Sequence, residues 1–338
     1  MDQLGRLVLH AVGQLVQLLG VVAVVLHHIG QQRQRLLRRV LRVSMLMTMV
    51  MVMGVLVAMV VGMGVGMGHA VGVGVFMVYP LLWMVGSTFK TNAEIFTSLS
   101  PFTAHPTLDG YYNAVTKTYG GDITIWRAFL NTYSYVIPKV VFTVISSVIA
   151  AYGFSRFKFK GRDFLFGVMI MTLFLPQVVL NIPQFLMYRQ FGWVDSPYYL
   201  ALIMPTLFAQ ETYFVYMLIQ FMRNIPRELD EAAKIDGCNI MQTLVLVLVP
   251  MLWPAMVSAG LFQFMWSSND FMGPLLYVNS PARYPATLFV RMSMDADTGF
   301  AWNRVMAVSL ISIIPSLVVF FLAQRQFMDG VTAGAVKG

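Results

Sequence analysis

Long apolar segments recur along this chain, and they limit its fold more than any other feature. A helix needs about 20 mostly apolar residues to cross the hydrocarbon core of a bilayer. Hydrophobic residues make up 58% of the 338 positions, against about 45–50% in a typical soluble domain. The sequence therefore predicts an all-α polytopic membrane protein with six spanning helices. The candidate spans are 62–86, 131–154, 164–188, 198–222, 243–266 and 303–324.

The basic residues indicate how these spans are oriented. The formal net charge of +8 does not come from a separate basic domain, because the Lys and Arg residues lie between apolar segments. This placement indicates membrane topology rather than nucleic-acid binding. Fifteen of the 23 basic residues fall in the loops on the side of both termini, and seven fall in the opposite loops. The positive-inside rule then predicts a cell (inner) membrane protein with both termini in the cytoplasm.

Metal and catalytic chemistry find little support in the sequence. Cys238 is the only cysteine, so no internal disulfide or thiolate cluster can form. The five histidines show no spacing typical of metal ligands. The spans contain no paired histidine or carboxylate constellation. We expect no metal, no bound cofactor and no enzyme activity.

The N-terminal stretch differs from the rest of the chain. Residues 1–60 are of low complexity and include an alternation of Met, Val and Gly that fits no secretory signal. Two interpretations stay open: a mis-called or frameshifted start, or genuine protein. We place a domain boundary near residue 60 and assign 61–338 to one transmembrane domain.

The stretch "RELDEAAKIDGCN" at 227–239 interrupts the apolar pattern. Seven of the fourteen positions from Arg223 to Asp236 are charged, although charged residues make up 11% of the chain. Asn224 as a cap and Pro226 at the first position favour a helix that begins there, and Gly237 favours its end. The prediction is a short cytoplasmic helix; a solvated loop is the alternative.

Charges within this predicted helix support it further. Acidic residues occupy its first turns, where the helix dipole favours them. Arg227 with Glu231, and Asp230 with Lys234, have the i, i+4 spacing of helical ion pairs. Small residues leave one face narrow, which allows another protein surface to approach the backbone closely.

"EAAKIDGCNIMQTLVLVLVP" resembles the signature of the membrane subunits of binding-protein-dependent ABC importers. The matching positions are Glu231, Ala232, Ala233, Gly237, Val247, Val249 and Pro250. "AYGFSRFKFKGRD" and "LFQFMWSSNDFMGPLLYV" further resemble the maltose-type carbohydrate permeases, and the likeness runs from about residue 76 to the C-terminus.

The resemblance implies a six-helix core of the type I ABC importer permease kind with a cytoplasmic coupling helix. It also implies that Glu231, Ala232, Ala233 and Gly237 couple the chain to ATPase subunits. The implied partners are a second homologous permease, two ABC ATPases and an extracytoplasmic sugar-binding protein. The partner ATPases would use ATP, since this chain has no Walker-type phosphate loop.

Polar residues within spans are candidate contacts for the sugar, because such residues usually face the protein interior or a water-filled cavity. Lys139 would attract an anionic sugar, or it would snorkel to the outer surface. Trp266 would stack on a sugar ring or anchor the span at the interface. The candidate set is Lys139, Asn181, Gln263, Trp266, Asn269 and Asp270.

The sugar class follows from resemblance only. "YGGDITIWRAFLNTYSYVIPKV" resembles permeases for uronate oligosaccharides of the alginate or pectin type. The rival hypothesis is an ATP-independent secondary sugar transporter or channel, which predicts inverted repeats and coupling carboxylates within the spans.

Overall fold

The computed structural model describes residues 67–118, 123–294 and 301–335. The chain divides into two compact units, Met1–Leu82 and Trp83–Gly338. The predicted boundary near residue 60 lies outside the described residues. In chain order the helices are α1 (Met67–Ser87), α2 (Asn92–Thr97), α3 (Asp109–Thr116), α4 (Ile125–Arg156), α5 (Arg162–Thr172), α6 (Gln177–Gln190), α7 (Leu200–Ile203), α8 (Thr212–Asn224), α9 (Glu228–Ile235), α10 (Ile240–Gln242), α11 (Val249–Ser268), α12 (Met272–Tyr277), α13 (Ala286–Met292) and α14 (Trp302–Ala335).

Three helical segments of other geometry complete the list. Met204–Phe208 and Pro281–Arg283 are 3₁₀ helices, and Thr243–Leu248 is a π-helix. The π-helix joins α10 to α11, so the chain from Ile240 to Ser268 forms one apolar helix of 29 residues.

Within the described residues, four helices are long and apolar enough to cross a membrane. They are Ile125–Arg156, Leu200–Asn224, Ile240–Ser268 and Trp302–Ala323. A shorter apolar helix, Phe76–Ser87, overlaps the last part of the first predicted span. The four long helices correspond to the second, fourth, fifth and sixth predicted spans.

The third predicted span is broken rather than continuous. Its two halves, α5 and α6, meet at a bend of 103°. Pro176 lies at this break, directly before α6. Proline has no backbone N–H to bond the preceding turn, and its ring clashes with that turn. The third predicted span is therefore present only if α5 and α6 cross the membrane together as one bent span.

The fourth span also changes direction locally. After Met204–Phe208, Ala209 adopts a left-handed conformation with φ of 54°, and regular helix resumes at Thr212. The Thr172 hydroxyl at the end of α5 donates to the Thr212 hydroxyl over 3.4 Å. The irregular parts of the third and fourth spans therefore lie side by side.

Helix α4 is central to the second unit, since it packs against both α8 and α11. One core cluster, which includes Leu218, Leu248 and Leu252, fills the space between these helices. A second cluster lies toward the start of α4 and includes Tyr135, Tyr199 and Tyr277. These cores hold both ends of α4 in place.

Candidate coupling surface and candidate substrate cavity

The charged stretch forms a short helix, as predicted, but its first turn differs from the prediction. Asn224 is the last residue of α8 rather than a cap of α9. Pro226 precedes the helix, which begins at Glu228. Ile225 is extended, with ψ of 124°, because the ring of a following proline disfavours helical geometry. The linker between the two helices is therefore only Ile225 to Arg227.

Gly237 ends α9 in the way the sequence predicts. Its φ is 84°, a left-handed value at which a side chain is strained. The N–H of Cys238 donates to the Ala233 carbonyl over 2.9 Å, and the N–H of Gly237 donates to the Lys234 carbonyl over 3.1 Å. These two bonds form a Schellman motif. They fix the direction in which the chain leaves the helix.

An ion pair connects α9 to the end of α4. Arg156 Nε lies 3.0 Å from Asp230 Oδ2, and the two side chains are 7% and 23% exposed. The N–H direction does not meet hydrogen-bond geometry, so the contact is chiefly electrostatic. The predicted pairing of Asp230 with Lys234 is replaced by this one, because the Asp230 carboxylate lies beside Arg156 at the end of α4.

Two hydrogen bonds strengthen the same junction. An Arg156 guanidinium nitrogen donates to the Ile225 carbonyl over 3.1 Å. An Arg227 guanidinium nitrogen donates to the Ser155 carbonyl over 3.1 Å. Charged donors make stronger hydrogen bonds than neutral ones. The linker and the start of α9 are therefore both attached to the last turn of α4.

Helix α9 has one buried side and one exposed side. Ala233 is 5% exposed, and Leu229 packs against the core cluster of α4 and α8. Glu231, Ala232 and Gly237 are exposed. Ile235 is 86% exposed, although it is a large apolar residue. We call Glu231, Ala232, Ile235 and Gly237 the coupling surface.

The apolar character continues beyond the coupling surface. Ile240 and Met241 are 59% and 58% exposed. The Asn239 and Gln242 side chains form a reciprocal capping box there, which satisfies free N–H groups at the start of the next helix. Exposed apolar residues on a polar, well-ordered element are typical of protein–protein contacts.

A cavity of about 280 Å³ lies at the opposite end of the second unit. The helix from Ile240 to Ser268 separates it from α9 by 29 residues, or roughly 40 Å at about 1.5 Å per residue. Aromatic rings and small polar side chains share the lining, which includes Phe129, Tyr133, Ser268, Asn269, Phe271, Thr287, Ser309 and Ser312.

Some hydroxyl groups in this cavity have hydrogen-bond partners within the protein, and one has none. The Ser312 hydroxyl donates to the Val308 carbonyl over 2.8 Å, and the Thr287 hydroxyl donates to the Asp270 carbonyl over 3.0 Å. Ser268 is 9% exposed, and its hydroxyl has no partner. A buried hydroxyl without a partner costs free energy. A polar ligand that reached this hydroxyl would supply the missing partner.

The candidates on "FQFMWSSND" take different positions at the end of α11. Asn269 lines the cavity, and its amide donates to the Met265 carbonyl over 2.8 Å. Gln263 is 1% exposed and bonds Ser267. Trp266 is 50% exposed and packs on Phe214, outside the cavity lining.

Asp270 has a local structural contact. Its Oδ1 accepts a hydrogen bond from the Gly273 N–H over 3.0 Å at the start of α12. A carboxylate at that position stabilises a helix start. Asp270 is half-buried and does not line the cavity.

Lys139 and Asn181 lie away from the cavity lining. Lys139 is half-buried, and its neighbours at helical spacing on α4, Tyr135, Val136 and Thr143, are buried. It follows Ile125, where α4 begins, by 14 residues, or about 21 Å. Asn181 shares one face of α6 with Gln177 and Gln184, whose amides bond each other over 3.1 Å.

A charged contact joins two loops at the cavity end of the second unit. Asp195 Oδ1 accepts from the Asn279 and Ser280 N–H groups, each over 2.9 Å. Its Oδ2 lies 2.7 Å from an Arg283 nitrogen. Burial alone would raise the pKa of Asp195, but hydrogen bonds from Ser280 and Asn279 and the charge of Arg283 outweigh it and lower the pKa. We call Asp195, Asn279, Ser280 and Arg283 the loop clasp.

The sequence did not single out most of the cavity residues. Phe129 and Tyr133 are four residues apart on α4, and their rings stack with centroids 6.4 Å apart. Ser268 adjoins residues that were predicted, while Ser309 and Ser312 come from α14. An aromatic pair at helical spacing near a span end was the only available signal.

The described residues contain apolar helices of spanning length, with a short polar helix at one end and a cavity at the other, which is the arrangement of a multi-pass membrane protein. The family model described as "binding-protein-dependent transport system inner membrane component" matches residues 143–327. The match covers more than half of the chain, and the chain belongs to this family of inner-membrane transport components.

Curated relatives agree with this assignment. A putative ABC transporter permease of Caldicellulosiruptor is 31% identical over 260 residues, which cover 77% of this chain and 91% of the relative. The trehalose/maltose transport system permease of Thermococcus litoralis is 31% identical over 270 residues, covering 79% and 94%.

A solved structure shows the same fold. One chain of a bacterial ABC transporter involved in the import of alginate matches with a TM-score of 0.66 and 19% identity, covering 82% of this chain and 96% of that chain. The predicted all-α fold of the type I ABC importer permease kind is confirmed.

Proposed function

We propose that this chain is the transmembrane subunit of an ATP-driven ABC importer for carbohydrate. It would form half of the translocation pathway beside a second, homologous permease. Two ABC ATPase subunits and an extracytoplasmic sugar-binding protein would complete the transporter. The ATPases would bind and use ATP, and this chain would bind no cofactor.

The observation that carries the proposal is the coupling surface. Helix α9 exposes Ala232 and Ile235 while Arg156 and Asp230 fix its opposite side to α4. A small, rigid, partly apolar helix suits insertion into a cleft of an ATPase. Movement of the ATPase would then reach the membrane helices through the junction with α4.

The same proposal implies an orientation. The coupling surface would face the cytoplasm, where ATP is available, and the positive-inside count favours both termini on that side. The cavity lined by Tyr133 and Ser268 would then open toward the sugar-binding protein.

The proposed cargo is an oligosaccharide. Relatives named for trehalose/maltose and galactooligosaccharide transport support this class. Aromatic rings with a few polar groups are typical of small-molecule sites, and the cavity offers both. A uronate-type sugar, as in alginate or pectin, would find an attracting charge in Lys139.

The test is reconstitution of the chain with its permease partner, the ATPases and the binding protein in liposomes. We expect uptake of labelled oligosaccharide that requires ATP and stops when the ATPase is inactivated. Uptake by the permeases with no ATPase present would overturn the proposal in favour of a secondary transporter or channel.

A further inference from the structure

A second cavity, of about 490 Å³, lies beside the linker that leads into α9. Three guanidinium groups line it, those of Arg156, Arg223 and Arg227, and Glu228 is the only acidic residue in the lining. The cavity is separate from the coupling surface, which occupies the later residues of the helix. A polar cavity with a positive surplus favours an anionic ligand.

The contacts of these arginines leave positive charge available. Arg156 is paired with Asp230. In the described part of the chain, no ion pair is recorded for Arg223 or Arg227. Arg227 uses one nitrogen on the Ser155 carbonyl, and the Arg223 guanidinium lies 5.2 Å from the centroid of the Phe166 ring. Both groups are thus held by neutral partners that do not cancel their charge.

The position of the cavity identifies the kind of anion. Arg156 is the last residue of α4, and Arg223 lies in the last turn of α8. Both helices belong to spans long enough to cross a bilayer, so their ends border the phospholipid headgroups. Arginine binds phosphate in a bidentate, charge-assisted geometry.

Helix α5, which packs near the cavity, also exposes apolar side chains. Arg223 reaches α5 at Phe166, and on the same helix Phe164 and Val168 are 73% and 42% exposed. A molecule with a phosphate at one end and hydrocarbon chains at the other would satisfy both surfaces together. A free phosphate would contact only the arginine-lined cavity.

We propose that this cavity binds the phosphodiester headgroup of an anionic phospholipid, with Arg223 and Arg227 as its phosphate ligands. The acyl chains would lie along the exposed side of α5. The site needs only that these helix ends border a membrane, so it does not depend on the sugar or on the ATPase.

The test titrates a fluorescent phosphatidylglycerol into the full-length chain in phosphatidylcholine nanodiscs. The wild type should show saturable binding, with much weaker binding of labelled phosphatidylcholine. Arg223→Gln with Arg227→Gln should weaken binding by roughly fivefold for each arginine removed, since each contributes about one basic-residue contact with the lipid surface. The matched pair Lys158→Gln with Lys160→Gln removes the same charge from exposed positions outside the cavity, and should bind like the wild type.

Three results would overturn the site. Equal losses in the two double variants would indicate diffuse surface charge. Unchanged binding in the arginine pair would remove these residues as ligands. Competition by inorganic phosphate at the same concentration as the lipid would indicate a free-anion site. If the arginine pair fails to fold, Arg223→Gln alone leaves the bond from Arg227 to Ser155 in place, and should show a roughly fivefold loss.

Discussion

Asp230 and Arg156 lie 74 positions apart in the sequence and form an ion pair of 3.0 Å between α9 and the end of α4. The Arg156 side chain is 7% exposed, so it has little access to water as a replacement partner. Together with the bonds from Arg156 to the Ile225 carbonyl and from Arg227 to the Ser155 carbonyl, this ion pair joins α9 to the end of α4.

Asp230→Asn should destabilise the protein, because it leaves the buried Arg156 charge without its anion. An unsatisfied buried polar group costs about 1–3 kcal/mol, and a charged group costs more. Thermal unfolding in detergent measures the loss. Glu231→Gln is the control, since Glu231 is exposed on the same helix. Equal melting temperatures for the two variants would show that the ion pair contributes nothing.

Gly237→Val should uncouple ATP hydrolysis from sugar uptake while insertion into the membrane stays normal. A Cβ at Gly237 would meet no atom within 4 Å, so the effect comes from the backbone at φ of 84°. Left-handed geometry costs a residue with Cβ about 1–2 kcal/mol. Gly237→Asn is the control, because Asn tolerates this conformation. Normal uptake by Gly237→Val in liposomes would argue against a role in coupling.

Lys139→Met should reduce uptake of acidic oligosaccharides and leave neutral ones unaffected. The side chain lies on the buried face of α4 among Tyr135, Val136 and Thr143, where a cation would attract an anionic sugar. Paired uptake assays with a uronate oligosaccharide and a neutral one measure the ratio of the two uptake rates. If the variant imports both as well as the wild type does, Lys139 is not part of the pathway.

Ser268→Ala should weaken sugar binding by about 1 kcal/mol, or roughly fivefold, and leave the melting temperature unchanged or slightly higher. The Ser268 hydroxyl is buried without a partner, so its removal costs the empty protein nothing. Ser312→Ala in the same cavity is the control, because that hydroxyl already bonds the Val308 carbonyl. Sugar binding to the reconstituted transporter is the measurement. A larger loss in Ser312→Ala would contradict the assignment.

The loop clasp should contribute stability that depends on pH. The folded-state pKa of Asp195 lies below its ordinary value of 3.8, so its contribution is present above that value and is lost as the pH falls through the lower, folded-state pKa. Asp195→Asn should therefore be less stable than the wild type at neutral pH, and the gap should close in strong acid. Asn tolerates the φ of 54° at this position. A gap in melting temperature that is independent of pH would contradict the mechanism.

The spans and the coupling helix could be predicted because their signals are local. Apolar length marks a span wherever it occurs, and Gly237 marks a helix end by its own conformational freedom. The pairing of Asp230 could not be predicted in the same way. Lys234 has the correct helical spacing, but Arg156 reaches the carboxylate through tertiary packing that sequence spacing does not encode.

The third span and the cavity show the same limit. Pro176 and Pro183 are visible in the sequence, but the 103° bend depends on what α5 and α6 pack against. The cavity lining comes from α4, α11, α13 and α14 with their connections. Helices α4, α13 and α14 contribute three residues each and α11 contributes one, and these residues look ordinary in their own segments. Of the predicted sugar contacts, only Asn269 lines that cavity.

Helix α4 is held by contacts at both ends. One end holds α9 through Arg156, and near the other the Asn131 amide donates to the Ala282 and Tyr284 carbonyls over 3.0 and 3.1 Å. Its 32 residues span about 48 Å, and its middle is packed between α8 and α11. If α4 tilts as a rigid body about its packed middle, its two ends move in opposite directions. One tilt of α4 would therefore bring the helices closer together at one face of the membrane and move them apart at the other.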